Sequence, residues 1–335
     1  MTMQAILLHK YGTENDLTFE EIEKPVPKDD EVLVRVHASA VNDWELGIIE
    51  GKPLFMRLFL GFLRPKLKIM GTEVAGVVEA VGKDVLKYRP GHKVYGDLSA
   101  HKFGAFAEFL CTKESAVAHM PTNLSFDQSA AIPHAGLLAL QALRDIADFR
   151  AGQSLLINGA GGGVGCLGIQ LAKMHKNVRV TGVDSTEKLE HMALLSFDEV
   201  IDYTRQNFTE LGKQYDVILD TKSTRSPAEI ARALKPNGIY VTVGGNMNRI
   251  FQIAFLSRFM RNKENRQFHV LGLKPNKGLE YLTGLVEGGR VIPAIDSRYP
   301  LEQTPLAIRR LKQASHKGKI IISVAAVSLP LSADE

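Results

Sequence analysis

Residues 155–173 read LLINGAGGGVGCLGIQLAK and place glycine at positions 159, 161, 162, 163 and 165. The residues before the glycines form a short apolar run typical of a buried strand, and those after them have the apolar spacing of a helix. The glycines therefore occupy a strand-to-helix turn. Such a turn lets the backbone approach a ligand closely and presents the free N–H groups of a helix start to a phosphate.

The motif inside this turn is Ala160-x-Gly162-x-x-Gly165, with Ala160 in place of the first glycine of the dinucleotide-binding fingerprint. The next strand, VRVTGVD, ends at Asp184, where a carboxylate accepts hydrogen bonds from an adenosine ribose. This order predicts a dinucleotide site. The predicted contacts are Ala160, Gly162, Gly163, Val164, Gly165 and Asp184. A glycine loop without a ligand, followed by a solvated Asp184, is the alternative.

Asp184 also bears on the choice of coenzyme. A carboxylate repels a 2′-phosphate, which favours NADH over NADPH. Ser185, Thr186 and Lys188 could still hold a phosphate, with Tyr203 of the VIDY segment nearby. The sequence therefore leans toward NADH and leaves NADPH open.

Composition limits the class of protein. The 335 residues are 45% hydrophobic and 23% charged, which suits two ordinary domains. The 41 Lys and Arg residues exceed the 37 Asp and Glu residues by only four, so we expect neither a nucleic acid nor an anionic membrane as the main partner. The two cysteines, the N-terminal segment and the lack of a long apolar run predict a cytoplasmic protein without membrane insertion.

The chain changes its pattern near residue 128. Before this point, short alternating apolar runs such as EVLVRVHAS and EVAGVVEAVG predict a mostly β domain. From residue 128 to 273, strand and helix patterns alternate, which predicts a parallel sheet. The remaining segment, 274–335, is too small for a domain of its own, and we expect it to complete the first one. The basic apolar segment 249–263 is interpreted as a cover over a cleft or dimer edge rather than a membrane-surface helix.

Several segments, in this order along the chain, resemble the medium-chain dehydrogenase/reductase superfamily: GTEVAGVVEAVGKDV, PGHKVYGDL, GAFAEF, SAAIPHAGLLALQAL, GQSLLINGAGGGVG, EVIDY and GKIIISV. Within it, the chain is most similar to the zinc-independent quinone oxidoreductase, or zeta-crystallin-like, branch. The resemblance implies an α/β protein with a GroES-like catalytic domain (1–127 and 274–335) and a Rossmann NAD(P)-binding domain (128–273). It also implies a cleft at their junction and a homodimer or homotetramer, of which we expect the homodimer.

The resemblance also bears on zinc. In the alcohol dehydrogenase branch, the first two zinc ligands are a cysteine and a histidine, where this chain has Asn42 and Thr72. The third ligand position falls near His134. Two of the three ligands that a catalytic zinc requires are therefore missing, and we predict no metal.

Without a Lewis acid, hydride acceptors that delocalise the incoming charge are favoured, so the resemblance implies reduction of a quinone or an α,β-unsaturated carbonyl. Asn42 matches the asparagine that approaches nicotinamide and substrate in this branch, although it could equally cap a turn. Trp44 and His134 are expected in the substrate pocket. Gly244 and Gly245, after the strand IYVTV, are expected to let the backbone approach the nicotinamide.

Departures from the family pattern lie in segments that are expected near the nicotinamide ring of the coenzyme. The glycine-rich loop expected after VILD reads Thr221-Lys222-Ser223-Thr224. Two alternative functions therefore stay open: a zinc-type alcohol dehydrogenase with an atypical site, and an NAD(P)H-binding protein without turnover. Cys166 follows the glycine turn at a helix start, where a thiolate can be stabilised, but an unreactive cysteine is the favoured interpretation.

Overall fold

A computed structural model of the protein describes residues 1–256 and 264–324. The chain divides into two compact units. The first contains Met1–Pro133, Ile295–Ala314 and the described residues from Ile320 onward, and the second contains His134–Ala294 and Ser315–Lys319.

In the described ranges, the strands are β1 (Thr2–Leu8), β2 (Leu17–Glu23), β3 (Glu31–Val41), β4 (Glu73–Val81), β5 (Lys93–Asp97), β6 (Phe109–Lys113), β7 (Ala118–His119), β8 (Ser154–Asn158), β9 (Arg179–Asp184), β10 (Glu199–Asp202), β11 (Tyr215–Asp220), β12 (Leu234–Thr242), β13 (Gln267–Val270), β14 (Ile295–Pro300) and β15 (Lys319–Ser323). The α-helices are α1 (Asp43–Glu50), α2 (Arg57–Leu60), α3 (Phe126–Ala130), α4 (Pro133–Leu140), α5 (Gly163–Ala172), α6 (Leu189–Ala193), α7 (Pro227–Ala233), α8 (Met247–Leu256), α9 (Leu279–Glu287) and α10 (Thr304–Lys312).

The first unit is built on an antiparallel sheet in the order β14-β15-β3-β4-β5-β7, with β6 also paired to β3. One face of this sheet is buried in an apolar cluster. Strand β3, EVLVRVHASAV, contributes Val34 to this cluster, and the neighbouring strands contribute Val74 and Val94. A second cluster joins Ile6, Leu8 and Ile320 to helices α1 and α10. Both ends of the chain therefore contribute to one core.

The second unit contains a six-stranded parallel sheet in the order β10-β9-β8-β11-β12-β13. Its central strands are continuous apolar runs, as expected for a parallel sheet covered on both faces. The strand order reverses between β8 and β11. In such sheets, ligands bind beyond the carboxyl ends of the strands at this switch point.

The segment after residue 274 does not stay in one unit. Strand β14 and helix α10 lie in the first unit, but α9 lies in the second. The side chain of Gln141 donates to the carbonyl oxygens of Lys274 and Lys277, at 2.8 and 3.0 Å, and Gln170 binds both backbone groups of Ile292. These contacts hold residues 274–292 in the second unit, whose middle segment ends at Ala294. The sequence pattern predicts a domain boundary at 274.

Helix α8 lies between β12 and β13 in the chain and includes the first residues of the segment 249–263. Residues 257–263 of that segment lie outside the described residues. In the part of the chain that is described, no helix has both the length and the apolar character needed to cross a bilayer.

Candidate functional site

The glycine-rich turn joins β8 to α5 as the sequence predicts. Gly159 has φ +85°, a left-handed conformation that favours glycine. A Cβ added at Gly165 would lie 2.2 Å from the carbonyl oxygen of Ala160, so the turn can close only if this position has no side chain. At Gly162 an added Cβ would make an ordinary contact, 3.6 Å from the Gly159 carbonyl oxygen, so a methyl group fits there. The turn is therefore closely packed at Gly165 and tolerates a small group at Gly162.

Asp184 ends β9 directly beside this turn. Its Oδ2 accepts a hydrogen bond from the Gly161 N–H at 2.9 Å, and its Oδ1 accepts one from the Ser185 N–H at 2.9 Å. Lys188 Nζ lies 3.5 Å from Oδ1. Burial lowers the pKa of Lys188, and the neighbouring Asp184 carboxylate opposes this effect. The predicted acid is therefore in place, with its charge compensated by a buried lysine.

Three lysine side chains lie over alternate glycines of the turn. An added Cβ would lie 3.2 Å from Lys222 Cε at Gly159, 2.8 Å from Lys188 Cδ at Gly161 and 2.6 Å from Lys319 Cδ at Gly163. At Gly161 and Gly163 the absent side chain makes room for a lysine stem, whereas at Gly159 the Thr221 hydroxyl, 2.0 Å from an added Cβ, is closer than Lys222. We call Lys188, Lys222 and Lys319 the lysine cluster.

The loop after β11 is fixed by the buried carboxylate of Asp220. Its Oδ1 accepts hydrogen bonds from the N–H groups of Lys222 and Ser223, at 2.8 and 2.9 Å, and from Asn158 Nδ2 at 2.8 Å. The Tyr240 hydroxyl donates to Oδ2 at 2.9 Å, and burial raises the pKa of this tyrosine. Asp220 therefore ties the ends of β8, β11 and β12 together and positions the backbone of Lys222.

The other sequence-predicted residues of the second unit lie close to these strand ends. Tyr203 follows β10, is 49% exposed and donates its N–H to the Asp184 carbonyl oxygen at 3.1 Å. Gly244 and Gly245 follow β12. A Cβ at Gly245 would lie 2.1 Å from the carbonyl oxygen of Lys222, so this glycine is required by the close approach of two loops.

In the first unit, Asn42 belongs to a buried polar cluster. Its side-chain Nδ2 donates to Thr72 Oγ1 at 3.0 Å and to Glu73 Oε2 at 2.9 Å. The Thr72 N–H and hydroxyl both donate to Glu45 Oε1, at 2.8 and 2.6 Å, and Glu45 Oε2 accepts the Asn42 N–H at 2.9 Å. Both amide hydrogens of Asn42 are therefore already used inside this unit.

The zinc positions of the alcohol dehydrogenase branch do not match a zinc site here. Asn42 and Thr72 supply an amide and a hydroxyl, whereas zinc prefers thiolate, imidazole or carboxylate ligands. The Asn42 amide is held by hydrogen bonds to Thr72 and Glu73. Over residues 1–256 and 264–324, no group of three or more His, Cys, Asp or Glu side chains is arranged to hold a metal ion.

The two residues expected in the substrate pocket lie in different units. Trp44 is in α1 of the first unit and is 46% exposed. His134 is half-buried in α4 and opens the second unit.

Cys166 lies near the start of α5 but does not have the environment of a reactive thiol. It is buried, and burial raises its pKa to about 12. The packing of α5 against the sheet outweighs the effect of the helix N-terminus, because the thiolate would lose its hydration there.

Lys222, Lys319 and Asp220 were not among the sequence-predicted site residues. The sequence does point to Lys222, because this lysine lies in the loop after VILD where the family has a glycine-rich loop. No sequence pattern points to Lys319, because only the fold brings this residue to the glycine-rich turn.

Comparison with known proteins agrees with this architecture. Residues 28–122 match the family model described as alcohol dehydrogenase GroES-like domain, and residues 195–322 match the one described as zinc-binding dehydrogenase. The 2-methylene-furan-3-one reductase of Solanum lycopersicum is 32% identical over 96% of this chain and 79% of its own length. The chloroplastic quinone-oxidoreductase homolog of Spinacia oleracea is 31% identical over 96% of this chain and 98% of its own length.

Among solved structures, the quinone oxidoreductase from Coxiella burnetii matches with a TM-score of 0.85 and 26% identity, over 97% of this chain and 100% of that one. The predicted fold class, a GroES-like β domain with a Rossmann domain, is confirmed. The chain belongs to the medium-chain dehydrogenase/reductase superfamily, in its quinone oxidoreductase-like branch.

Proposed function

We propose that the protein is a zinc-independent, NAD(P)H-dependent oxidoreductase that reduces a quinone or an α,β-unsaturated carbonyl compound. The observation that carries the proposal is the glycine-rich turn between β8 and α5, where the buried acid Asp184 accepts the Gly161 N–H and an added Cβ at Gly162 would meet no atom closer than 3.6 Å. Membership of the quinone oxidoreductase-like branch supports the reaction class. The second unit is proposed as the coenzyme-binding domain and the first as the catalytic domain.

The turn supplies the groups that a dinucleotide needs. The residues proposed at its pyrophosphate are Ala160, Gly162, Gly163, Val164 and Gly165. The proposed N–H donors are Gly163, Val164 and Gly165 at the start of α5, because the N–H groups of Ala160 and Gly162 already donate to the Val183 and Gly159 carbonyl oxygens. Asp184 and Ser185 are proposed at the adenosine ribose, and Gly244 and Gly245 at the nicotinamide. Bound NAD(P)H would supply the hydride.

The polar cluster of the first unit supports an activated acceptor as substrate. An amide and a hydroxyl stand at the two zinc-ligand positions, so polarisation of a simple ketone by a metal has no support from these residues. A quinone or enone spreads the incoming charge over a conjugated system and depends less on such help. Trp44 and His134 are retained as proposed pocket residues.

Asn42 is proposed to donate a hydrogen bond to the substrate oxygen. Because both of its amide hydrogens are used, this role requires exchange of the bond to Thr72 for one to the substrate. The bond to the Glu73 carboxylate can stay, and it would hold the amide in one orientation. Asn42 would then stabilise the developing negative charge in the transition state.

For the coenzyme, the sequence favoured NADH because Asp184 would repel a 2′-phosphate. The ion pair with Lys188 weakens that argument, because the carboxylate charge is compensated within the protein. Lys188, Ser185 and the exposed Tyr203 all contact Asp184. We therefore propose that the site accepts NADPH as well as NADH.

A cytoplasmic homodimer completes the proposal. The dimer is supported by the family resemblance, and the reducing location by the two free cysteines. Light scattering coupled to size-exclusion chromatography tests the dimer, and cell fractionation tests the location, which matters because the spinach relative is chloroplastic.

The deciding experiment is a fluorescence titration with NADH and NADPH, followed by coenzyme oxidation with a panel of quinones, enones and enals in the presence of EDTA. We expect binding of both coenzymes and oxidation by at least one acceptor class after metal removal. Tight binding without oxidation would support the non-catalytic alternative. Activity lost in EDTA and restored by zinc would support the alcohol dehydrogenase alternative.

A further inference from the structure

Lys222 occupies a special place in the second unit. It follows β11, and its side chain crosses to Gly159, which follows β8. These two strands flank the point at which the order of the parallel sheet reverses. Lys222 therefore spans the switch point at the carboxyl edge of the sheet, where the crevice for a ligand lies in this type of fold.

In the part of the chain that is described, residues 1–256 and 264–324, the ammonium of Lys222 has no bonded carboxylate or other acceptor, although the side chain is half-buried. Its backbone, by contrast, is fixed by Asp220 and by the Asn246 N–H, which donates to its carbonyl oxygen at 3.0 Å. A cation that has no counterion among these residues and whose backbone is held by hydrogen bonds is suited to bind an external anion.

The surroundings add to this argument. Lys222 is close enough to Lys188 to lower the pKa of Lys188, after the larger effect of burial. Lys319 contributes a third stem on the same turn. Asp184 is bound by Lys188 and two backbone N–H groups. Lys188 and Lys222 therefore hold like charges near each other, which is unfavourable and would be relieved by a bound anion.

We propose that Lys222 is a coenzyme-binding residue that contacts the pyrophosphate of NAD(P)H across the switch point. This inference rests on the proposed function and deepens it. The pyrophosphate is preferred to the 2′-phosphate because Lys222 lies over Gly159, at the strand that begins the turn, whereas Lys188 lies beside Asp184 at the ribose end.

The test compares Lys222→Met with Lys188→Met, Lys222→Arg and the control Lys176→Met. Lys176 is exposed beyond the other end of α5, so its replacement removes one positive charge from the same unit away from the turn. Each variant is titrated with NADH and with NADPH at low and high salt, and its thermal unfolding is recorded. The size of the expected effect follows from loss of one charge-assisted hydrogen bond, which corresponds to about a tenfold change in Kd.

We expect Lys222→Met to raise the Kd of NADH and NADPH alike by about tenfold and to reduce the salt dependence of both, with an unchanged melting temperature. Lys222→Arg should retain most of the affinity, and Lys176→Met all of it. Lys188→Met should affect NADPH more than NADH.

Three results would overturn the inference. If Lys222→Met binds both coenzymes as the native protein does, Lys222 has no such role and the proposed function stands. If only NADPH binding is weakened, the residue contacts the 2′-phosphate instead. If the native protein binds neither coenzyme, the proposed function fails together with the inference.

Discussion

The Asp184 carboxylate and the Lys188 ammonium form an ion pair in which the two side chains are only 5% and 1% exposed, with Oδ1 and Nζ 3.5 Å apart. Removing one member of such a pair leaves a buried charge without its partner, which costs far more than breaking a pair on the surface. Loss of either member of the pair should therefore destabilise the glycine-rich turn.

We expect Lys188→Met to lower the free energy of unfolding by about 3 kcal/mol, because Asp184 would keep only its backbone donors. Asp184→Asn should be destabilising too, and the double variant should lose less than the sum of the two. Urea unfolding of all three measures the coupling. The exposed pair Lys213–Glu199 is the control, and its removal should cost less than about 1 kcal/mol. Equal costs for the two pairs would contradict the prediction.

Two glycines of the turn should respond differently to alanine. At Gly162 a methyl group has room in the protein but would enter the space proposed for the phosphate, so Gly162→Ala should melt like the native protein and bind NADH at least tenfold more weakly, on the order of one lost hydrogen bond. At Gly165 the methyl group would meet the Ala160 backbone, so Gly165→Ala should lower the melting temperature. Unaltered NADH affinity of Gly162→Ala would argue against a phosphate at this place.

Asn42→Asp should destabilise the first unit in a pH-dependent way. The new carboxylate would lie where Nδ2 is now 2.9 Å from Glu73 Oε2, and two like charges at this distance raise the pKa of one of them. The raised pKa means that the native state holds an extra proton, so stability should increase as the pH is lowered from about 8 to about 5. Thermal melting across this range measures the effect. Adding Glu73→Gln should restore a hydrogen bond and remove the pH dependence, and its failure to do so would contradict the geometry.

The two thiols should be unreactive in the native protein. Burial raises the pKa of Cys166 to about 12 and that of Cys111 to about 11, so neither forms a thiolate near neutral pH. Iodoacetamide at pH 7.5 should label neither in native buffer and both in urea, as mass spectrometry of the intact protein would show. The raised folded-state pKa of Cys166 contributes stability that is lost as the pH rises above about 9, and Cys166→Ala should lessen this loss. Rapid native labelling of Cys166 would refute the prediction.

The sequence could predict the turn, because a buried strand, the glycines, a helix and Asp184 follow one another within a short segment. It could not predict the lysine cluster, since Lys222 and Lys319 reach the turn only through the sheet order and the return of the C-terminal segment. The end of the second unit's middle segment at Ala294 could not be predicted either. It depends on hydrogen bonds between Gln141 and Lys274 and between Gln170 and Ile292, residues that lie more than one hundred positions apart in the sequence. For Asn42, residue type suggested a donor, but only the fold identifies Thr72 and Glu73 as its acceptors.

The packing of Lys188 over Gly161 and of Lys319 over Gly163 has an evolutionary consequence. A Cβ at either glycine would meet a lysine side chain at 2.8 or 2.6 Å, so a bulkier residue there requires the lysine to be shortened or displaced. We therefore expect these two glycine–lysine pairs, whose members are far apart in the sequence, to change together among diverging relatives.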